Sequence, residues 1–73
     1  MHVRSVLDIG RAARQARTSH GLTQVQASGL VGRGTRFVGE LEAGKPTVQM
    51  QLALDYLAAL GFDVHLLPRQ PPA

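Results

Sequence analysis

Two short segments separated by one glycine turn constrain this chain more than anything else in it. Gly21-Leu22-Thr23-Gln24-Val25-Gln26-Ala27-Ser28-Gly29-Leu30-Val31-Gly32 is followed at once by Thr35-Arg36-Phe37-Val38-Gly39-Glu40-Leu41-Glu42-Ala43-Gly44-Lys45. Thr23 with Gln26 three residues later has the spacing of a capping box, and Leu22 ahead of it suits an apolar staple. A helix is therefore expected over about 24–31, stopped by Gly32. A second is expected over about 35–43, ending at Gly44, with Val38 and Leu41 on its inner face and Thr35, Arg36, Gly39 and Glu40 outward. Two short helices meeting across a tight turn are the arrangement by which small proteins set a helix into the DNA major groove.

The flanking segments supply a frame for that pair. Ser5 with Asp8 resembles a second capping box, and Ile9, Ala12, Ala13 and Ala16 recur at helical spacing up to Gly21, which predicts a helix over about 6–20. Pro46 cannot continue a helix. Thr47 can cap a further one, in which Met50, Ala53, Leu54, Leu57 and Leu60 form an apolar stripe, widened by Leu52 and Tyr56, before Gly61 ends it. Phe62-Asp63-Val64-His65-Leu66 alternates apolar with polar, the mark of a half-buried strand, and Pro68 terminates it. Nothing else in the sequence reads as a strand, so the outward ladder bonds call for the same strand of a second copy, paired through Phe62, Val64 and Leu66. The other reading of this segment is an extended tail packed on the last helix. The expected architecture is all-α: a four- to five-helix helix-turn-helix domain over 1–61, a dimerisation strand over 62–67 and a disordered tail over 68–73.

Composition removes several function classes. The 73 residues leave room for one domain, and without cysteine there is no disulfide framework, thiolate metal site or Cys nucleophile. No apolar run approaches the ~18 residues that span a bilayer, and Met1 to Asp8 lacks the apolar core of a signal peptide, so a cytoplasmic protein with no membrane partner is expected. His2, His20 and His65 are too scattered for metal spacing, no glycine-rich phosphate loop follows a strand, and Glu40 and Glu42 fall on different helix faces. Neither an enzyme nor a cofactor is expected. The net charge of +3 is unevenly distributed: residues 1–39 carry six arginines against Asp8, and residues 40–73 carry four acids against Lys45 and Arg69. The first half is suited to a polyanion and the second to another task.

Leu22-Thr23-Gln24, small Ser28, Gly32 in the turn, apolar Val38 and Leu41, and Glu42-Ala43-Gly44-Lys45 together resemble the Xre/Cro-type helix-turn-helix repressors. With Pro46-Thr47 and the terminal strand the chain is similar to HipB-type antitoxins, over about Ile9 to Leu67. The resemblance implies a phage-repressor-like fold, a homodimer closed by the strand, repression of the protein's own operon, and binding of a HipA-like Ser/Thr kinase toxin. It also implies that Arg17 and Glu42 pair in a largely buried salt bridge.

In the docking geometry of this motif the first turn of the second helix reaches base edges. Arg36 is suited to guanine O6 and N7, a bidentate contact that discriminates by about 1–3 kcal/mol. Thr35 opens the same face, Gly39 leaves it bare for close approach, and Glu40 can either accept from cytosine N4 or repel phosphates. Gln24 at the exposed start of the first helix is suited to a phosphate, with Thr23, Arg33, Gly34 and Lys45 beside it. Gly34 departs from the Ser or Thr usual in the family, which removes a side-chain cap. Gly29 and Gly39 inside helices each cost about 0.5–1 kcal/mol relative to Ala. Phe37 beside the DNA face reads best as packing against the last helix or a nearby loop. The sequence thus points to a repressor of a palindromic operator with half-sites about one helical turn apart. The alternatives are a protein-interaction module that neutralises the kinase while binding DNA weakly, and a stand-alone phage-type repressor.

Overall fold

In a computed structural model, which describes residues 2–68, the chain forms four α-helices: α1 (Val6–Ser19), α2 (Gln24–Ser28), α3 (Thr35–Glu42) and α4 (Met50–Ala59). A single 3₁₀ turn, Gly29–Val31, prolongs α2, so the helix expected over 24–31 is α-helical only to Ser28. Ser5 Oγ accepts from the Asp8 amide at 3.3 Å and Asp8 Oδ2 accepts from the Arg4 amide at 2.9 Å, which satisfies two donors at the start of α1. At α2 the Thr23 side chain accepts from the Gln26 amide at 3.1 Å while Gln26 Oε1 accepts from the Thr23 amide at 2.9 Å, the full reciprocal box.

Helix α3 ends where Gly44 adopts φ +79°, a conformation that side-chain-bearing residues avoid. The Gly44 amide donates to Leu41 O and the Lys45 amide to Glu40 O, both at 3.0 Å, closing the last turn. Helices α1 and α4 close with the same pair of bonds at Gly21 and Gly61.

Ala13, Ala27, Val38, Leu41, Ala53, Tyr56, Leu57 and Leu60 form the core, to which all four helices contribute. Three of the eight residues of this core are alanines. Its largest member, Tyr56, is fully buried and meets Phe37 edge to face, with ring centroids 5.9 Å apart at 86°. The Tyr56 hydroxyl has no hydrogen-bond partner, and burial, with the Glu42 carboxylate adding to it, holds the phenol above its ordinary pKa. Removing a buried donor that is already unsatisfied relieves a desolvation penalty of about 1–3 kcal/mol rather than breaking a bond. Tyr56→Phe is therefore expected to leave stability unchanged or raise it by about 1 kcal/mol, measured as the midpoint of urea unfolding.

The structure corrects two expectations about the second half. Helix α4 begins at Met50 with Gln49 as its N-cap and no side-chain cap bond, not at a Thr47 cap. Pro46 has taken the second position of a turn over Lys45–Val48, in which the Val48 amide donates to Lys45 O at 3.3 Å, so Thr47 is used up in the turn. Met50, placed in the apolar stripe by spacing, is exposed; the buried face of α4 is Ala53, Tyr56, Leu57 and Leu60. No strand occurs among the described residues, and the pairing expected over 62–67 calls for a second copy of the chain. Phe62, Val64, Leu66 and Leu67 are exposed rather than packed on α4. The tail expected over 68–73 lies, from residue 69 onward, outside the described residues.

Candidate nucleic-acid interface

Gly32 (φ 63°, ψ 30°) turns the chain between the 3₁₀ turn and α3, and the Arg33 amide donates to Ser28 O at 3.1 Å. Buried Ser28 turns its hydroxyl back onto Val25 O at 2.7 Å, so the packed face of α2 presents no unpaired polar atom to α3. Helix α3 then stands with Val38 and Leu41 in the core. Thr35 and Arg36 are exposed, and Gly39 and Glu40 are half-buried.

Five of the site residues form two ion-pair systems with opposite burial. Arg17 Nε donates to Glu42 Oε2 at 2.6 Å and Arg17 Nη2 to Oε1 at 2.9 Å, a two-pronged pair whose side chains are only 11% and 6% exposed. Arg17 Nη1 also donates to Leu22 O at 2.8 Å, tying the entrance of α2 to the same centre. The hydrogen bonding of the guanidinium to Glu42, ahead of that carboxylate's charge, holds the Arg17 pKa above the ordinary arginine value despite the opposing desolvation.

The second system is open to solvent. Arg36 Nε donates to Glu40 Oε1 at 2.6 Å, and Lys45 Nζ lies 2.9 Å from Glu40 Oε2, with side chains 87%, 44% and 27% exposed for Arg36, Lys45 and Glu40. Hydrogen bonds from Lys45 and then Arg36 hold the Glu40 carboxyl below its ordinary value. Glu40 is thus shared by two cations. The spacing carried a signal for this arrangement: four residues separate Arg36 from Glu40, and the α3 terminal turn folds Lys45 back over Glu40.

The remaining residues are placed as follows. Gln24, considered for a phosphate, donates its amide to Glu42 Oε1 at 3.3 Å, so it bridges α2 to α3. A methyl group at Gly39 would lie 3.8 Å from Gln24 Oε1, an ordinary contact, so this face has room for one. The Thr23 hydroxyl oxygen is engaged in its cap, and Gly34 is the N-cap of α3 with no side-chain bond. Arg33, Arg36, Phe37, Thr47, Val48 and Gln49 are among the residues that line an open cleft of about 320 Å³. Among the described residues no three His, Asp or Glu side chains gather as a metal site would require, and no helix is long and apolar enough to cross a membrane.

Helices α2 and α3 around the Gly32 turn, with a polar face on α3 braced by α1, define a helix-turn-helix domain. Residues 8–70 match the helix-turn-helix domain family, and the chain belongs to it. It is 38% identical over 65 residues to an uncharacterised HTH-type transcriptional regulator, y4mF, of Sinorhizobium fredii (strain NBRC 101917 / NGR234), covering 89% of this chain and 86% of that protein. In structure it resembles a chain of the HipA-HipB-O2-O3 complex at a TM-score of 0.85 and 16% identity, over 96% of this chain and 99% of that one. A complex of a HipB variant with an O2 20mer gives the same TM-score and identity, over 96% and 97%. The fold is that of the HipB-like regulators.

Proposed function

We propose that this protein is a sequence-specific repressor that binds a palindromic operator as a homodimer. We further propose that it is the HipB-like antitoxin of a toxin-antitoxin operon, which binds a HipA-like Ser/Thr kinase and represses its own transcription. The observation that carries the DNA-reading part is Arg36, whose side chain is 87% exposed on the first turn of α3 while the far end of that helix is locked to α1 by the Arg17–Glu42 pair. The exposed Phe62, Val64 and Leu66 support the homodimer, since a second copy would cover them and complete their ladder. The likeness to HipB solved together with HipA supports the kinase as partner. A cytoplasmic location suits each of these roles.

The test is a mobility-shift titration on DNA from the protein's own upstream region, at low and moderate salt, with Arg36→Ala and a deletion of residues 62–73 alongside. Wild type is expected to bind saturably and to weaken steeply with salt. Arg36→Ala should lose about 10- to 100-fold in affinity for that site, and the deletion should weaken binding and sediment as a monomer. Arg36→Ala should still co-purify with the kinase-like product of the adjacent reading frame. Binding that is equal on unrelated DNA would remove the repressor reading and leave the kinase-binding module.

A further inference from the structure

Glu40 lies on the outward face of α3, yet both of its oxygens are taken: Oε1 by Arg36 Nε at 2.6 Å and Oε2 by Lys45 Nζ at 2.9 Å. Each oxygen keeps a further lone pair, but a cytosine N4–H drawn to either would have to share it with Arg36 or Lys45. The bond to Arg36 runs through Nε and leaves Nη1 and Nη2 free, and these two nitrogens can make the parallel contacts to guanine O6 and N7. Lys45 is fixed from both ends, since its amide donates to Glu40 O at 3.0 Å while its ammonium meets the same residue's side chain. At 27% exposure the carboxylate is less open to solvent than either of the two cations that meet it.

We propose that Glu40 is a positioning residue for base readout: it aims the free end of Arg36 at a guanine and keeps Arg36 and Lys45 from spending their charge indiscriminately on phosphates. The proposal rests on the DNA-reading function given above. Without Glu40 both cations swing freely, and a surface relieved of one negative charge attracts any duplex more strongly. Specific and non-specific binding therefore respond in opposite senses, which a merely structural residue does not produce.

The experiment measures anisotropy titrations of the full chain on its footprinted site, on a scrambled duplex, and on the site with 7-deazaguanine in place of guanine in each half-site. Wild type, Glu40→Gln and Glu40→Asp are compared, with a thermal melt to show that each is folded. Glu40→Gln is expected to bind the scrambled duplex at least as tightly as wild type while its preference for the site falls about tenfold. The 7-deazaguanine penalty should shrink with it. Glu40→Asp keeps the charge but not the reach, so it should restore wild-type affinity for scrambled DNA without restoring the preference. If wild type prefers its site and Glu40→Gln keeps both that preference and the full 7-deazaguanine penalty, the positioning role is wrong and the repressor stands. A Glu40→Asp that matches wild type throughout also overturns it, because charge alone then suffices. If wild type shows no preference, the repressor reading and this proposal fall together.

Discussion

Glu42→Ala should cost this small domain about 3–5 kcal/mol, because it leaves the Arg17 guanidinium desolvated between α1 and α3 with its main partner gone. The Arg17 side chain is only 11% exposed and would keep a single bond, to Leu22 O at 2.8 Å. Arg17→Ala strands the Glu42 carboxylate in the same way, with only the longer 3.3 Å bond from Gln24 remaining. A chain of 73 residues has a total stability near the lower end of the usual ~5–15 kcal/mol, so either variant is expected to be largely unfolded at 37 °C. The measurement is urea unfolding followed by circular dichroism, run as a double-mutant cycle. The double variant Arg17→Ala with Glu42→Ala should lose less than the sum of the two single truncations, since no charge is left unpaired. Additive losses would show that the two side chains do not act as a pair.

Distance alone would not have ranked this bridge. Arg36–Glu40 is just as short, at 2.6 Å, but its arginine is 87% exposed, so solvent screening and side-chain entropy leave it little net effect on folding. The buried pair is therefore a folding element, whereas the exposed pair is available for recognition. In that sense α3 is divided along its length: its C-terminal end is fixed to α1, and its N-terminal turn is left open.

Much of this was legible in the residues because helix ends are local events. Ser5 and Thr23 name the starts of α1 and α2, and Gly21, Gly44 and Gly61 mark helix ends, all through contacts within a few residues. The start of α4 was not legible in the same way: Thr47 and Pro46 are compatible with both a cap and a turn, and the turn wins through one bond from Val48. Met50 fits the apolar period of α4 but sits at the helix's first residue, beyond the reach of the core. The double engagement of Glu40 depends on a side chain brought back by the α3 terminal turn, so a face-by-face reading of one helix left it as a lone acid. Period-two alternation over 62–66 is a local pattern, and these residues form no strand within one chain.

Gly10 is the residue that spacing alone treats as a defect, since glycine inside a helix costs about 1 kcal/mol relative to alanine. In the structure it packs against the end of α3: a Cβ there would run into the Leu41 carbonyl oxygen and crowd that of Glu42. These are backbone atoms at the end of α3, so they cannot turn aside as a side chain would. Gly10→Ala must push the helices apart, straining the Arg17–Glu42 bridge that spans the same junction. Against a collision and repacking cost of about 3 kcal/mol or more, the gain in helix propensity offsets about 1, leaving a net loss of about 2–3 kcal/mol. For a domain of this size that is a fall of about 10–20 °C in Tm. Gly29→Ala is the matched control, because its Cβ would point into open space from a backbone at φ −63°. It should raise stability by about 0.5–1 kcal/mol. The same chemical change is thus expected to act with opposite sign at two glycines, and paired thermal melts would read it directly. A Gly10→Ala protein that melts at or above wild type would mean that α1 and α3 do not pack backbone to backbone, and that α3 is braced on α1 by core side chains and the salt bridge alone.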